Sequence, residues 1–256
     1  MQRDEEPIKL GVMRIASVAA KLAVAAALFM GLGLAADAVN HHRGTSTGAR
    51  ELMAGLLAFI WIGGGGLAMF LLRRRVRATV AAVRISHRIK FVLLATLMAL
   101  LEEAITTTLT NLAPLFGGRI GEAFITASTN YLEVVLYHSV IVLIPMFVVW
   151  SWLLERRAFS TEAVFLLFGL NGVVAEVVFG GLTALLMAPF WISIYGLMIF
   201  LPVYCLPEDR GARSPRGFDI IVAVLLPVAG AAAMGAVVSS LSPHLPHLGP
   251  QFDLPR

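Results

Sequence analysis

The stretch that decides the fold class is AVFLLFGLNGVVAEVVFGGLTALLM, residues 163–187, in which Glu176 is the single charged side chain. A helix of about 20 residues, at 1.5 Å per residue, crosses a hydrocarbon core of about 30 Å. A helix of a soluble domain would interrupt such a run with polar residues at helical spacing. The stretch therefore predicts a membrane-spanning helix.

The rest of the chain repeats this pattern. Of its 256 residues 58% are hydrophobic and 14% are charged, with a mean hydropathy of +0.83, whereas soluble domains are nearer about 25% charged. We predict an all-α, polytopic transmembrane helical bundle of about seven spans, built as a single membrane domain over residues 1–256. The predicted spans are residues 16–36, 52–72, 91–116, 132–154, 163–187, 190–206 and 220–241.

The lysines and arginines between these spans predict the orientation. Fifteen of them fall before the first span and in the second, fourth and sixth connections, against four in the remaining connections and the C-terminal tail. Because positive charge accumulates on the cytoplasmic side, we place the N-terminus inside and the C-terminus outside. Residues 242–256, with four prolines and two histidines, are then an outer extended tail.

The first span has a second interpretation. Ala36-Asp37-Ala38 has the small-x-small pattern of a signal-peptide cleavage site after an apolar stretch. Acidic residues before that stretch and Lys21 within it argue for a retained span. Cleavage would leave six spans with the same orientation.

Composition also indicates the surroundings. Residues 73–90 carry seven basic and no acidic side chains, so we expect them to face the lipid bilayer and anionic lipids; a positive-inside signal without a partner is the alternative. Basic residues elsewhere lie at span ends, so the pI near 9.6 does not indicate nucleic acid. Three lysines beside 17 arginines suggest a GC-rich bacterial genome and hence the cytoplasmic (inner) membrane. Cys205 is the single cysteine, which excludes an intramolecular disulfide.

Four ionisable side chains inside predicted spans are the candidate catalytic residues: Glu102, Glu103, His138 and Glu176. Such groups cost at least about 2.5–3.5 kcal/mol to insert, so they usually face the protein interior and mark function. Helical rise places Glu103 and Glu176 about 18–20 Å from the inner side, and His138 at about the same depth. We expect one shared site, with at least one glutamate protonated at neutral pH.

A set of neighbouring polar residues predicts a crevice that opens to the outer face. Glu103, Thr107 and Asn111 recur every fourth residue, which stacks them on one side of a helix. The candidate substrate-binding residues are Thr107, Asn111, Asn130, Glu133 and Asn171. The alternative is that such residues only form interhelical hydrogen bonds, or that Glu133 is simply solvated.

Three function classes fit these residues. A membrane-embedded hydrolase would use a glutamate as general base and His138 to position the attacked group. A proton- or ion-coupled transporter or channel would use buried Glu and His as a relay, and a non-catalytic assembly partner would use neither. The cofactor and the oligomeric state stay open. His138 with Glu103 and Glu176 would supply metal ligands, as would the outer pairs His41-His42 and His244-x-x-His247; for each of these pairs a flexible polar segment is the alternative.

Glu102-Glu103 followed by His138 resembles the CAAX-protease and bacteriocin-processing family of intramembrane proteins. That family pairs Glu-Glu-x-x-x-Arg with Phe-x-x-x-His and a later His-x-x-x-Asn. Only Glu102, Glu103, His138 and Asn171 match, over about 70 residues. Thr107, Val134 and Leu167 stand at the Arg, Phe and His positions, so we assign no membership.

Overall fold

A computed structural model describes residues 5–207 and 209–241, and the regular elements in this part of the chain are helical. The long helices are α1 (Glu5–Asn40), α2 (Ser46–Leu57), α3 (Gly66–Ala82), α4 (His87–Asn111), α5 (Tyr131–Tyr137), α6 (Val140–Arg156), α7 (Thr161–Gly180), α8 (Ala188–Tyr204) and α9 (Gly217–Leu241). A π-helical stretch, Ala58–Gly65, joins α2 to α3, and short 3-10 turns lie at Ala113–Phe116 and Leu182–Met187. The predicted outer tail, 242–256, lies outside the described residues.

Several helical runs are long and apolar enough to cross a membrane, and this agrees with the predicted membrane bundle. They are Met13–Asn40, Ser46–Ala82, Thr161–Val178, Leu182–Tyr204 and Gly217–Leu241. Helices α5 and α6, bent by 43° between them, add a sixth if they form one span. Helix α4, which carries most of the predicted span 91–116, is not in this set. The count of about seven therefore stays a prediction.

Two predicted spans end or break where the backbone changes direction. The span 163–187 stops at Gly180, because Gly181 has a φ of 78° that continues no right-handed helix, and the residues after it lead into α8. The span 132–154 breaks at His138 and Ser139, whose amides both donate to the carbonyl of Val134. In both places the helices of the structure are shorter than the predicted spans.

The connections gather at two ends of the bundle. At the basic end, Arg88 forms an ion pair with Glu155, and the Arg157 Nε lies 2.8 Å from Asp219 Oδ1. At the far end, the Ser46 hydroxyl donates to Glu122 over 3.1 Å. The connections that were predicted to lie inside are the ones rich in lysine and arginine. Those of them with described contacts all lie at the basic end.

Helix α4 runs from one of these ends to the other. Its first residues, His87 and Arg88, contact Glu155 at the basic end. Its last residue, Asn111, donates from Nδ2 to the carbonyl of Thr129 over 2.9 Å in the far-end loop. This course is what a span at residues 91–116 requires, so α4 is the element to test in counting spans.

Glycines bring α7 and α8 into close contact. A Cβ on Gly169 would lie 2.6 Å from the carbonyl oxygen of Ile192, and one on Gly196 would lie 2.7 Å from the Phe165 ring. Helices without side chains at their contact can approach closely, as small residues commonly allow in membranes. This approach positions the site described next.

Candidate intramembrane carboxylate site

Two adjacent glutamates lie in the middle of α4 and are turned into the protein. The Glu102 side chain belongs to a residue with 5% of its surface exposed, and Glu103 to one with 8%. The helix begins at a Ser86 cap, whose hydroxyl accepts from the Ile89 amide, and it continues without a proline or glycine through both glutamates. The helix is therefore unbroken at the two glutamates, and its packing buries both carboxylates.

Hydroxyl groups hold the carboxylate of Glu103. The Thr106 and Thr126 hydroxyls donate to its Oε2 over 3.1 and 3.0 Å. The Ser139 hydroxyl, at the break between α5 and α6, also lies within hydrogen-bonding range of this side chain. Glu103 therefore joins α4 to the far-end loop and to the α5–α6 break.

Glu176 is held from α8. The Tyr195 hydroxyl donates to Glu176 Oε1 over 2.7 Å. The tyrosine ring lies across α7 at Gly172, one turn before Glu176, where any Cβ would overlap the ring. Only glycine at this position lets the hydroxyl reach the carboxylate.

The three glutamates act on one another electrostatically. Glu102 is within charge–charge range of both Glu103 and Glu176, and Tyr195 is within range of all three. Across residues 5–207 and 209–241, none of the ion pairs involves these carboxylates. We call Glu102, Glu103, Glu176 and Tyr195 the carboxylate cluster. It unites two of the three helices in the predicted site, and the role of its members stays a prediction.

The structure places His138 at the break between α5 and α6, where it is the C-terminal cap that follows the last residue of α5. It directly precedes Ser139, whose hydroxyl faces Glu103. Its place in a catalytic site therefore stays a prediction, supported by this adjacency in the chain alone.

The predicted substrate-binding residues divide into two groups, and most make structural contacts. Asn171 is fully buried: its Nδ2 donates to the carbonyls of Ala223 and Val224, and its Oδ1 accepts from Trp150 Nε1. Both amide protons are thereby used in packing α7 against α9. This arrangement matches the interhelical alternative for Asn171.

The other predicted crevice residues organise the loop between α4 and α5. Asn130 caps α5 by accepting from the Leu132 amide, and Glu133 accepts from Ser128 and Asn130. Asn111 ties α4 to Thr129. Within the described chain, Thr107 Oγ1 is buried without a hydrogen-bond partner, so Thr107 is the crevice residue with unused capacity to bind.

Metal binding at the predicted histidine–glutamate set finds no geometric support. In the described part of the chain, the single group of ligand atoms close enough to share an ion is Asp37, His42 and Glu51, at the far end. His41 lies beside it, with Nδ1 2.7 Å from Asp37 Oδ1. Sequence reasoning noted His41-His42 but missed the two carboxylates, because Glu51 comes from the next helix.

Sequence reasoning also missed the hydroxyl partners Tyr195, Thr126 and Ser139. Tyr195 carried a usable signal, because tyrosines of membrane proteins concentrate at the interfaces and this one lies mid-span. Thr126 carried none, since it lies in a loop whose return into the bundle only the tertiary fold reveals.

No family model, curated protein or solved structure matches the chain. The partial resemblance to the CAAX-protease and bacteriocin-processing family therefore gains no support, and the function must be argued from the site.

Proposed function

We propose that the protein is a proton-coupled membrane transport protein and that the carboxylate cluster is its proton-binding site. The observation that carries the proposal is three mutually repelling glutamates without a cationic partner in the described chain; Glu102 and Glu103 are buried and Glu176 is half-buried. Each buried charge is costly in a membrane, and neighbouring like charges add to that cost. Binding protons is the simplest way for the cluster to exist there.

Its hydrogen bonds suit proton exchange. Tyr195 and the hydroxyls on Glu103 can each donate or accept, so a proton can pass between oxygens without a large movement. Buried glutamate chains of this kind are the usual relays of pumps and transporters.

Access to the cluster is asymmetric. Thr126, in the far-end loop, contacts Glu103 directly. Toward the basic end stand the buried aromatic rings of Phe147, Trp150 and Phe168, stacked or edge-on against one another. Protons would thus exchange with the far end in this conformation. Exchange with the basic end would require a second conformation, and the break beside Ser139 is where we expect the chain to bend.

The test is proton movement in reconstituted vesicles. With a pH-sensitive dye trapped inside and an imposed pH step, the wild-type protein should accelerate equilibration; E102Q, E103Q and E176Q should each reduce the rate at least tenfold. E133Q is the matched control, because the Glu133 carboxylate accepts from Ser128 and Asn130 in the loop before α5 and is not a member of the carboxylate cluster. Equal rates for all variants, or no acceleration by the wild type, would overturn the proposal.

A membrane-embedded hydrolase is the second candidate, favoured by one observation. Thr106 and Thr126 both donate to Glu103 Oε2, and a carboxylate has further acceptor capacity with which to orient a water as a general base would. Cleavage of transmembrane peptides in detergent, lost in E103Q and kept in E133Q, would select this candidate. Proton movement without any cleavage would select transport.

We also propose that residues 73–90 bind anionic lipid headgroups. A cavity of about 240 Å³ at the basic end is lined by Arg77, His87 and Lys90 together with apolar residues of α3, α4 and residues 202–207. Native mass spectrometry should show retained phosphatidylglycerol or cardiolipin, reduced in R77Q/K90Q. Equal retention would argue for a positive-inside signal alone. Location in a bacterial inner membrane is part of this proposal.

A further inference from the structure

We infer that Asp37, His42 and Glu51 form a binding site for a divalent transition-metal cation of the Zn²⁺ class at the far end. Their ligand atoms all lie within 4.8 Å of one another. Zn²⁺ binds imidazole nitrogen at about 2.0–2.1 Å and carboxylate oxygen at about 2.0–2.2 Å. Ligands on one ion are therefore separated by about 3–4.5 Å, a spacing that small side-chain movements provide here.

The ligand types favour this class of metal. Imidazole nitrogen and carboxylate oxygen are both zinc ligands, and three protein ligands with a fourth position open to water is the arrangement of catalytic zinc sites. Ca²⁺ and Mg²⁺ prefer oxygen ligands only. The His42 Nδ1 already lies 2.9 Å from Glu51 Oε2 and 3.5 Å from Asp37 Oδ2, so the imidazole is central to the group.

The backbone around His42 is fixed before any ligand arrives. The Thr45 hydroxyl donates to the His42 carbonyl over 2.7 Å and accepts from the Gly48 amide over 3.1 Å. A Cβ on Gly48 would overlap the His42 carbonyl oxygen. This tight turn carries His42 against α2, so that Glu51 and the end of α1 face each other.

His41 is a positioning residue for the site. Its Nδ1 lies 2.7 Å from Asp37 Oδ1, while Asp37 Oδ2 faces His42. A residue that orients a ligating carboxylate typically contributes about 10–100-fold to metal affinity. The alternative is a metal-free clasp, in which the contacts among Asp37, His42 and Glu51 only join α1 to α2. The experiment distinguishes the metal site from the clasp.

The experiment uses the full chain in detergent, stripped with a chelator and titrated with Zn²⁺ against a chromophoric competitor. We expect one equivalent bound, weakened more than 100-fold in H42Q and E51Q. H41Q should weaken binding about 10–100-fold while leaving the Co²⁺ absorption bands of the substituted site unchanged in shape. Controls are H87Q, at the basic end, and the double variant H244Q/H247Q in the C-terminal tail, both of which should bind normally.

A second readout keeps the inference falsifiable if a variant folds poorly. Zn²⁺ should raise the thermal unfolding temperature of the wild type and not that of H42Q. Absence of stoichiometric binding to the wild type would overturn the site in favour of the clasp. Binding that survives H42Q and E51Q but disappears in H244Q/H247Q would overturn it too, since the tail would then be the ligand.

Discussion

Two groups of carboxylates in this molecule meet opposite conditions. The carboxylate cluster has two buried members, Glu102 and Glu103, and two half-buried ones, Glu176 and Tyr195. Its glutamates come from α4 and α7, and its described partners are hydroxyls. Asp37 and Glu51 lie at the far end, partly exposed, and share the imidazole of His42 between them. Both groups hold repelling acids. The first group contacts hydroxyls inside the bundle, so we expect it to bind protons. The second is partly exposed and shares an imidazole, so we expect it to bind a metal cation.

From this difference we expect the two groups to respond differently to substitution. An exposed acid beside an imidazole is stabilised by water and by charge, so its removal alters little beyond the local contact. A buried acid without a cation must be neutral or strained, so its removal can relieve the protein while removing function.

The largest expected effect is all-or-none and concerns which side of the membrane each end faces. In a Cys205→Ser background, R84C at the basic end and T47C at the far end introduce single exposed cysteines. A membrane-impermeant maleimide applied to intact cells should label T47C and not R84C. Labelling of both from one side would contradict an end-to-end α4 and the predicted orientation.

The next effect is on packing between α7 and α8. Gly172→Ala places a methyl group in the ring of Tyr195. We expect a loss of about 1–3 kcal/mol in the free energy of unfolding, as overpacking usually gives, with loss of the bond from Tyr195 to Glu176. Gly235→Ala, where a Cβ meets nothing within 4 Å, is the control in denaturant unfolding in detergent. Equal losses would show that the close approach is not tight.

These glycines show what sequence could and could not predict. The apolar runs predicted a helical membrane bundle, and the buried glutamates drew attention because charges in hydrocarbon are rare. Small residues alone do not show where helices meet: a Cβ on Gly235 in α9 would meet nothing within 4 Å, whereas one on Gly169 or Gly172 would overlap α8. Hydropathy identifies helices, but it does not identify which faces meet.

The site was predictable to a similar depth. Helical rise alone placed Glu103 and Glu176 in one layer, and the structure has them within electrostatic range of Glu102. Hydropathy could not reveal the break at His138 or the return of Thr126 into the bundle, because both depend on tertiary contacts. Asn171 looked equally polar in sequence, yet its hydrogen bonds serve packing.

Two substitutions of buried polar residues should change the stability in different directions. Glu102→Gln removes one of the repelling charges, so stability should be unchanged or higher by up to about 1 kcal/mol. Asn171→Leu leaves the Trp150 indole without its acceptor and removes the hydrogen bonds to two carbonyls of α9, and it should lose about 1–3 kcal/mol. Thermal unfolding of both variants in one detergent is the measurement. A strongly destabilised E102Q would mean that Glu102 serves packing.

The smallest expected effect is the pH response of the far end. The hydrogen bond to Glu51 raises the pKa of His42 above its usual 6.5. A raised pKa means that this contribution to stability is complete below about pH 6.5 and disappears as the pH rises through the higher folded value. In metal-free protein, NMR titration of the His42 ring should show the raised pKa, and E51Q should return it toward 6.5. An unchanged ring titration in E51Q would rule out the clasp.

Infrared spectroscopy of the reconstituted protein at neutral pH tests directly whether the carboxylate cluster holds protons. A carboxylate cluster that stores protons inside the membrane should show the carbonyl band of a protonated carboxyl group, shifted in D₂O. We expect this band to be lost in the triple variant E102Q/E103Q/E176Q and kept in E51Q and E133Q. A wild-type spectrum without the band, or a band that survives in the triple variant, would contradict it.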